Sequence, residues 1–358
     1  MKFKYSVAPY YHAKKSTEGI MFDVLLALIF VCCCSVVLQY HLYGFLGAIK
    51  ALTIMVICVI TTNLVNLVYW KIRGIKMHDM FAKIKENASI ITGLILALTL
   101  PLGDLHSFEI FYVAFIASII AELFGKLIFG GFGCNIFNPA GLGRAFCLIA
   151  FAKILQTPQI DGLGSSSPLL TLQANPDNLE AVKGSFKTFT DLLLGFHQGA
   201  LGETLIIPLI IAAVYLMLRG VIEWIIPVVS VVCVGVFAAC YALAQGTFSI
   251  DFVLIHLLSG GLIFGAVFML TDPVTNPNNK QGKFIMAILF ALITFLIRAK
   301  GNLPEGVVFA LLICNMFVPF IDNITANVTN ENTVKKALST LAFFVVSAIL
   351  VMAFTLVA

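Results

Sequence analysis

The stretch MFDVLLALIFVCCCSVVLQY, residues 21–40, is an almost uninterrupted apolar run. Twenty residues at about 1.5 Å of rise each make a helix about 30 Å long, the thickness of a bilayer's hydrocarbon core. Before it, Met1–Ile20 carries Lys2, Lys4, Lys14 and Lys15. No small-residue cleavage site follows the run, so it reads as a retained first span behind a cytoplasmic tail, residues 1–20. Further apolar segments fall at 44–70, 88–101, 108–129, 136–153, 203–219, 222–244, 251–271, 282–299, 303–321 and 336–357. The expected fold is therefore an all-α integral membrane protein with roughly ten transmembrane helices.

The composition agrees. Of the 358 residues 60% are hydrophobic and only 11% charged, with a mean hydropathy of +1.01. Soluble domains carry about 25% charged residues. The net charge of +4 is spread through loops without a basic, aromatic-laced patch, which excludes nucleic acid as a partner class. The nine cysteines lie mostly in apolar segments without CxxC spacing. They read as small packing residues, and neither a disulfide framework nor a zinc site is indicated. His106, His197 and His256 are scattered, read as polar groups near the interface, and imply no metal.

Segments 88–101, 136–153 and 282–299 are short for a crossing, which suggests broken helices around a central site. An internal repeat supports this. Gly93, Leu98, Thr99 and Pro101 recur at the same spacing as Gly265, Leu270, Thr271 and Pro273, and Pro139-Ala-Gly141 is echoed by Pro304-Glu-Gly306. Lysine and arginine set the orientation. With a cytoplasmic N-terminus, Lys71, Arg73, Lys76, Lys83, Lys85, Lys126, Arg219, Lys280, Lys283, Lys335 and Lys336 fall inside. Lys153, Lys183, Lys187, Arg298 and Lys300 fall outside. The copies then face opposite sides, as in an inverted repeat. This divides the chain into a first membrane half (21–153), an extracytoplasmic loop (154–202) and a second membrane half (203–358).

Three stretches carry a resemblance: GGFGCNIFNPAGLG at 130–143, TDPVTNPNNKQGK at 271–283, and PEGVVFA at 304–310 followed by NMFVPFID at 315–322. Together they resemble the NqrB/RnfD family, membrane subunits of sodium-pumping NADH:quinone oxidoreductase and of the Rnf ferredoxin:NAD complex. The short N-terminal tail is similar to the RnfD branch. The resemblance implies a multi-pass bacterial inner-membrane location and an electron-carrying subunit of a cation pump, inactive alone. No Rossmann fingerprint or iron–sulfur cysteine pattern is visible, so nicotinamide and ferredoxin chemistry would reside in the other Rnf-type subunits.

The family carries FMN joined by a phosphoester to a Thr hydroxyl in a motif like Asp-Gly-x-Ser-Gly-Ala-Thr, often followed by Pro-Leu. Here Asp161-Gly162-Leu-Gly-Ser-Ser166-Ser167-Pro-Leu169 aligns without a gap. The resemblance thus implies covalent FMN at Ser167, with Asp161 and Gly162 matching the motif and Ser166 the neighbouring hydroxyl. It also implies a flavin transferase for maturation and leaves room for a second, non-covalent flavin. The motif's Ser-Gly-Ala centre is Gly164-Ser165-Ser166 here and its Thr is Ser. Read without the family, the stretch is a Gly/Ser turn.

Ionisable groups within spans are costly and mark function. Glu122, with Lys126 one turn on, Asp272 and Glu305 are the candidates for binding or gating the ion. The bland readings are an i,i+4 pair for Glu122–Lys126 and hydrated helix ends for Asp272 and Glu305. Gly130, Gly131 and Gly133 permit close backbone approach, and Asn135 and Asn138 are candidate caps for the helix from Pro139. Three alternatives remain: an NqrB-like quinone-reductase subunit, a channel or secondary transporter without a redox group, and a degenerate paralogue that keeps the scaffold and has lost the cofactor, as the altered motif centre allows.

Overall fold

The computed structural model describes residues 15–75, 87–155, 169, 189–197, 199–246, 248–301, 306–326 and 333–356. Among them the chain is helical, with a single isolated bridge between Pro101 and Ala200 in place of any sheet. Helix α1 runs over Thr17–Ile72 behind the cap Ser16, whose hydroxyl accepts from Gly19 N at 3.2 Å. Such a path is far too long for one crossing. Gly44, at φ 67° and ψ −158°, breaks it into two spans where the apolar pattern also breaks. The second part of α1 packs on α2 (Ser89–Thr99) and on α3 (Glu109–Ile119). A Cβ on Gly93 would lie 2.9 Å from Val59 Cα, so α2 rests backbone to backbone on α1. Lipid offers no hydrophobic drive between helices, and small residues supply the close contact instead.

A π turn, Ile120–Phe124, ends α3, and a glycine-rich loop leads to α4 (Pro139–Ala150). After residue 189 come α5 (Ile206–Leu218), α6 (Ile225–Ala244), α7 (Ile250–Leu258) and the short α8 (Leu262–Phe264), which widens into a second π turn, Gly265–Met269. Then follow α9 (Lys280–Lys300), α10 (Gly306–Ala326) and α11 (Thr333–Leu356). Helix α11 leans on α6 and α9, with Phe344 stacked on Phe237 at 5.8 Å. Only 11% of its apolar window is buried, so most of its surface suits lipid. Phe45, Ile211, Leu218 and Phe320 likewise point outward.

The chain is an all-α multi-pass membrane protein, and helix length alone does not fix the exact count of crossings. Among the described residues six helices, with the two-span α1 counted once, are long and apolar enough to cross, or seven with the pair Ile250–Leu258 and Leu262–Met269, bent by 50°. Helices α2, α4 and α5 are shorter. Both breaks satisfy their exposed backbone from elsewhere, as an apolar medium demands. Where α2 unwinds, Leu201 N donates to Leu100 O at 3.0 Å and Gly202 N to Leu98 O at 2.7 Å. Where α7 ends, Arg298 of α9 donates to the carbonyls of His256 (2.6 Å), Ser259 (3.0 Å) and Gly260 (2.7 Å).

Burial corrects one expectation. Arg298 and Lys126 are 2% and 3% exposed, so neither is a loop charge that reports sidedness. His197 and His256 are buried within the protein.

Candidate functional site

Glu122 stands in the π turn that ends α3 and is completely buried. Its Oε1 accepts from Ser89 Oγ at 2.6 Å and, more weakly, from Asn66 Nδ2 at 3.5 Å. Its Oε2 lies 3.6 Å from Lys126 Nζ and accepts no hydrogen bond. Lys126 is thus more than an i,i+4 partner. Its ammonium also donates to Asn87 O and to Thr92 Oγ1, each at 2.7 Å. A buried ion pair loses several kcal/mol of hydration per ion, so it persists only inside such a hydrogen-bonded frame.

The frame is continuous. Asn66 Nδ2 donates to Ser89 Oγ (2.6 Å), Asn87 Nδ2 to Asn66 Oδ1 (3.2 Å), and Phe132 N to Asn87 Oδ1 (2.9 Å). The glycine-rich loop can reach Asn87 because Gly130, Gly131 and Gly133 all have positive φ. A Cβ on Gly131 would meet Asn87 Oδ1 at 2.8 Å. The close backbone approach expected of these glycines is therefore present. Of the two cap candidates, Asn138 caps α4, its Oδ1 accepting from Gly141 N at 3.1 Å. Asn135 instead donates to Phe137 O.

Asn138 also carries the frame into the later part of the chain. Its Nδ2 donates to Met269 O at 3.1 Å, at the end of the second π turn. Two residues on, Thr271 donates to Val267 O at 2.5 Å, and Asp272 Oδ1 accepts from Val274 N at 3.2 Å. Asp272 is partly buried, and although it lies far from Lys126 in the sequence the two line one cavity. Both π turns flank this cluster, and such turns recur at functional sites.

A cavity of about 90 Å³, room for several waters, opens beside the cluster and is bounded there by Lys126, Asn135, Asn138 and Asp272. The rest of the TDPVT loop is tied down. Asn278 Nδ2 donates to Asp322 Oδ2 at 2.9 Å, and Lys283 pairs with Glu223 at 2.9 Å.

Of the residues singled out in the sequence, Glu122 and Asp272 come together here. Glu305 and the motif residues Asp161, Gly162, Ser166 and Ser167 lie outside the described residues. Leu169, two residues beyond Ser167, is described. It is 1% exposed and packs where a Cβ on Gly260 would meet it at 2.6 Å, beside Arg298. The sequence reading missed Asn66, Asn87 and Ser89, and left Lys126 a bystander. Asn66 inside an apolar run was a legible signal, since membrane-embedded polar groups face protein rather than lipid.

Comparison with known proteins adds a family. The model of the NQR2, RnfD, RnfE family matches residues 4–331. The D subunit of the proton-translocating ferredoxin:NAD(+) oxidoreductase complex of Clostridium ljungdahlii is 32% identical, over 90% of this chain and 94% of the relative. The D subunit of the Na(+)-translocating complex of Acetobacterium woodii is 31% identical, over 89% and 92%. The D subunit of an ion-translocating oxidoreductase complex from Stutzerimonas stutzeri is 33% identical, over 68% and 75%.

Proposed function

Since the chain belongs to the NQR2, RnfD, RnfE family, we propose that it is the D-type membrane subunit of a ferredoxin:NAD oxidoreductase complex, with the Glu122–Lys126–Asp272 cluster as its ion-handling site. It acts as one subunit of a multi-subunit translocase. The relatives' names favour the ferredoxin:NAD assembly over a quinone reductase. They also divide between protons and sodium at nearly equal identity, so likeness to relatives does not select the ion.

The observation that carries the site is a buried Lys126–Glu122 ion pair at the rim of a cavity that Asp272 also lines. A cation or proton arriving at Asp272 adds positive charge to the cavity that Lys126 borders and pushes that ammonium toward Glu122. At 3.6 Å and an effective dielectric of about 20, the Lys126–Glu122 contact is worth about 4 kcal/mol. That is enough to bias a two-state helix arrangement strongly. Glu122 Oε2, which lacks a hydrogen bond, is the open acceptor in this exchange. Glu305, which precedes Gly306 in the sequence, belongs to the same proposal.

Covalent FMN at Ser167 extends the reading. A bound flavin supplies one- and two-electron transfer. The chain's own part is to hold the acceptor hydroxyl in place. Leu169, two positions on in the sequence, is buried beside Gly260. Asp161, Gly162 and Ser166 are the motif neighbours that a flavin transferase would read. In-gel flavin fluorescence of the subunit, co-expressed with its transferase, should vanish in Ser167→Ala. A band that persists would move the attachment to Ser166 or Ser165.

The site itself is tested in reconstituted vesicles. Glu122→Gln and Asp272→Asn are each expected to lower ion transport per electron at least tenfold, read in sodium-free and in sodium-containing buffer. Unchanged transport in both variants would sink the ion-site reading.

A further inference from the structure

The cavity beside Lys126 and Asp272 has walls at its other end, and charge holds them together. Ile20, Met21 and Val24 in the first turns of α1 form one side, and Leu216, Val221 and Ile222 form the other. Asp23 lies among those α1 positions, yet its side chain is only 3% exposed. Its Oδ1 accepts from Arg219 Nε at 3.1 Å, from Arg219 Nη2 at 3.0 Å and from Tyr215 OH at 3.3 Å. Its Oδ2 accepts from Lys15 Nζ at 2.8 Å. The same ammonium donates to Arg219 O at 2.5 Å. One carboxylate thus gathers two cations and a phenol, and it ties the start of α1 to the end of α5.

We propose that Asp23 is a positioning residue that closes these two walls on each other and so controls access of the ion to Lys126 and Asp272. This rests on the cluster being the ion site. The two apolar walls have little reason of their own to stay together in lipid, where polar ties and close packing decide helix association. The tie is charge-assisted and uses two nitrogens of one guanidinium, the stronger kind of hydrogen bond. It is also reversible. The Arg219 and Lys15 side chains are 53% and 34% exposed, so on release both cations regain water. A clasp with one buried acid and two wettable cations suits a gate better than a permanent weld.

The test places a reporter, Ile95→Cys, on the cavity wall of the assembled complex in vesicles. Its modification by a small water-soluble thiol reagent is read by mass spectrometry of that peptide, which separates it from the native cysteines. Asp23→Asn should raise the labelling rate at residue 95 at least fivefold and increase passive ion leak. Ferredoxin-dependent NAD reduction should stay within twofold, so fewer ions move per electron. Arg219→Gln should act the same way, and the double variant no more than either single one. If Asp23→Asn fails to assemble, the half-exposed Arg219 carries the test. Unchanged labelling in assembled variants would overturn the clasp. Labelling that rises at a constant ion-to-electron ratio would keep the clasp and sink the ion-site reading beneath it.

Discussion

Lys126 and Arg298 are both buried cations, and each sits at a helix break, yet they are built for different work. Arg298 spreads its donors over three carbonyls at the end of α7. Those acceptors are fixed backbone, so the guanidinium is a cap with one good geometry. Lys126 donates to one carbonyl and one hydroxyl and lies 3.6 Å from the Glu122 carboxylate. Its ammonium is a compact charge on a flexible stem, and Asp272 lines the cavity beside it. The first arrangement holds a shape. The second can trade partners, and it borders a cavity through which a competitor can arrive.

The largest effect is expected where that difference is forced. Lys126→Met leaves the Glu122 carboxylate buried without its cation and should cost about 3–5 kcal/mol of stability, read as a lowered unfolding midpoint in detergent. Adding Glu122→Gln removes the stranded charge. The double variant should recover most of the lost stability and none of the ion transport, which would separate the structural from the transporting role of the pair. Recovery of both would make the cluster a packing device.

Arg298→Lys keeps the charge but loses the fork. It should destabilise by about 1–3 kcal/mol, because carbonyls at the α7 end lose their donors. The complex that does assemble should transport at the parental ion-to-electron ratio. A changed ratio would place Arg298 on the ion path and dissolve the contrast with Lys126.

The smallest effect belongs to the cap between the two regions. Asn138→Ala removes the Gly141 N–H acceptor and the donor to Met269 O. A lost N-cap costs about 1 kcal/mol. Hydrogen exchange should therefore rise in the first turn of α4 while α9 stays protected. Equal loss of protection in both helices would mean that the cap couples them.

How far the sequence went depends on the kind of interaction. Glu122 and Asp272 were legible because an acid stands out in an apolar segment, where its cost demands a reason. Arg298 was misread because a residue near a segment's end looks like a loop charge until a neighbouring helix end is found to need it. Asp23 sat in the very run that identified the first span, but its partners Lys15, Tyr215 and Arg219 become visible only when α5 lies beside α1.

By itself, the sequence determined that this protein lives in a bilayer as broken helices and which family it joins. Apolar length and helical backbone bonding are local properties, satisfied within each segment whatever its neighbours do. Glycines 130, 131 and 133 and the cap Asn138 belong to the same class, since positive φ and capping are decided within a few residues. Only the tertiary structure decided that Lys126, paired with an acid one turn away, borders the same cavity as another acid 146 positions along the chain, the difference between 272 and 126. Partnership between buried charges is a matter of distance in space. Spacing in the chain does not contain that distance until the helices have packed.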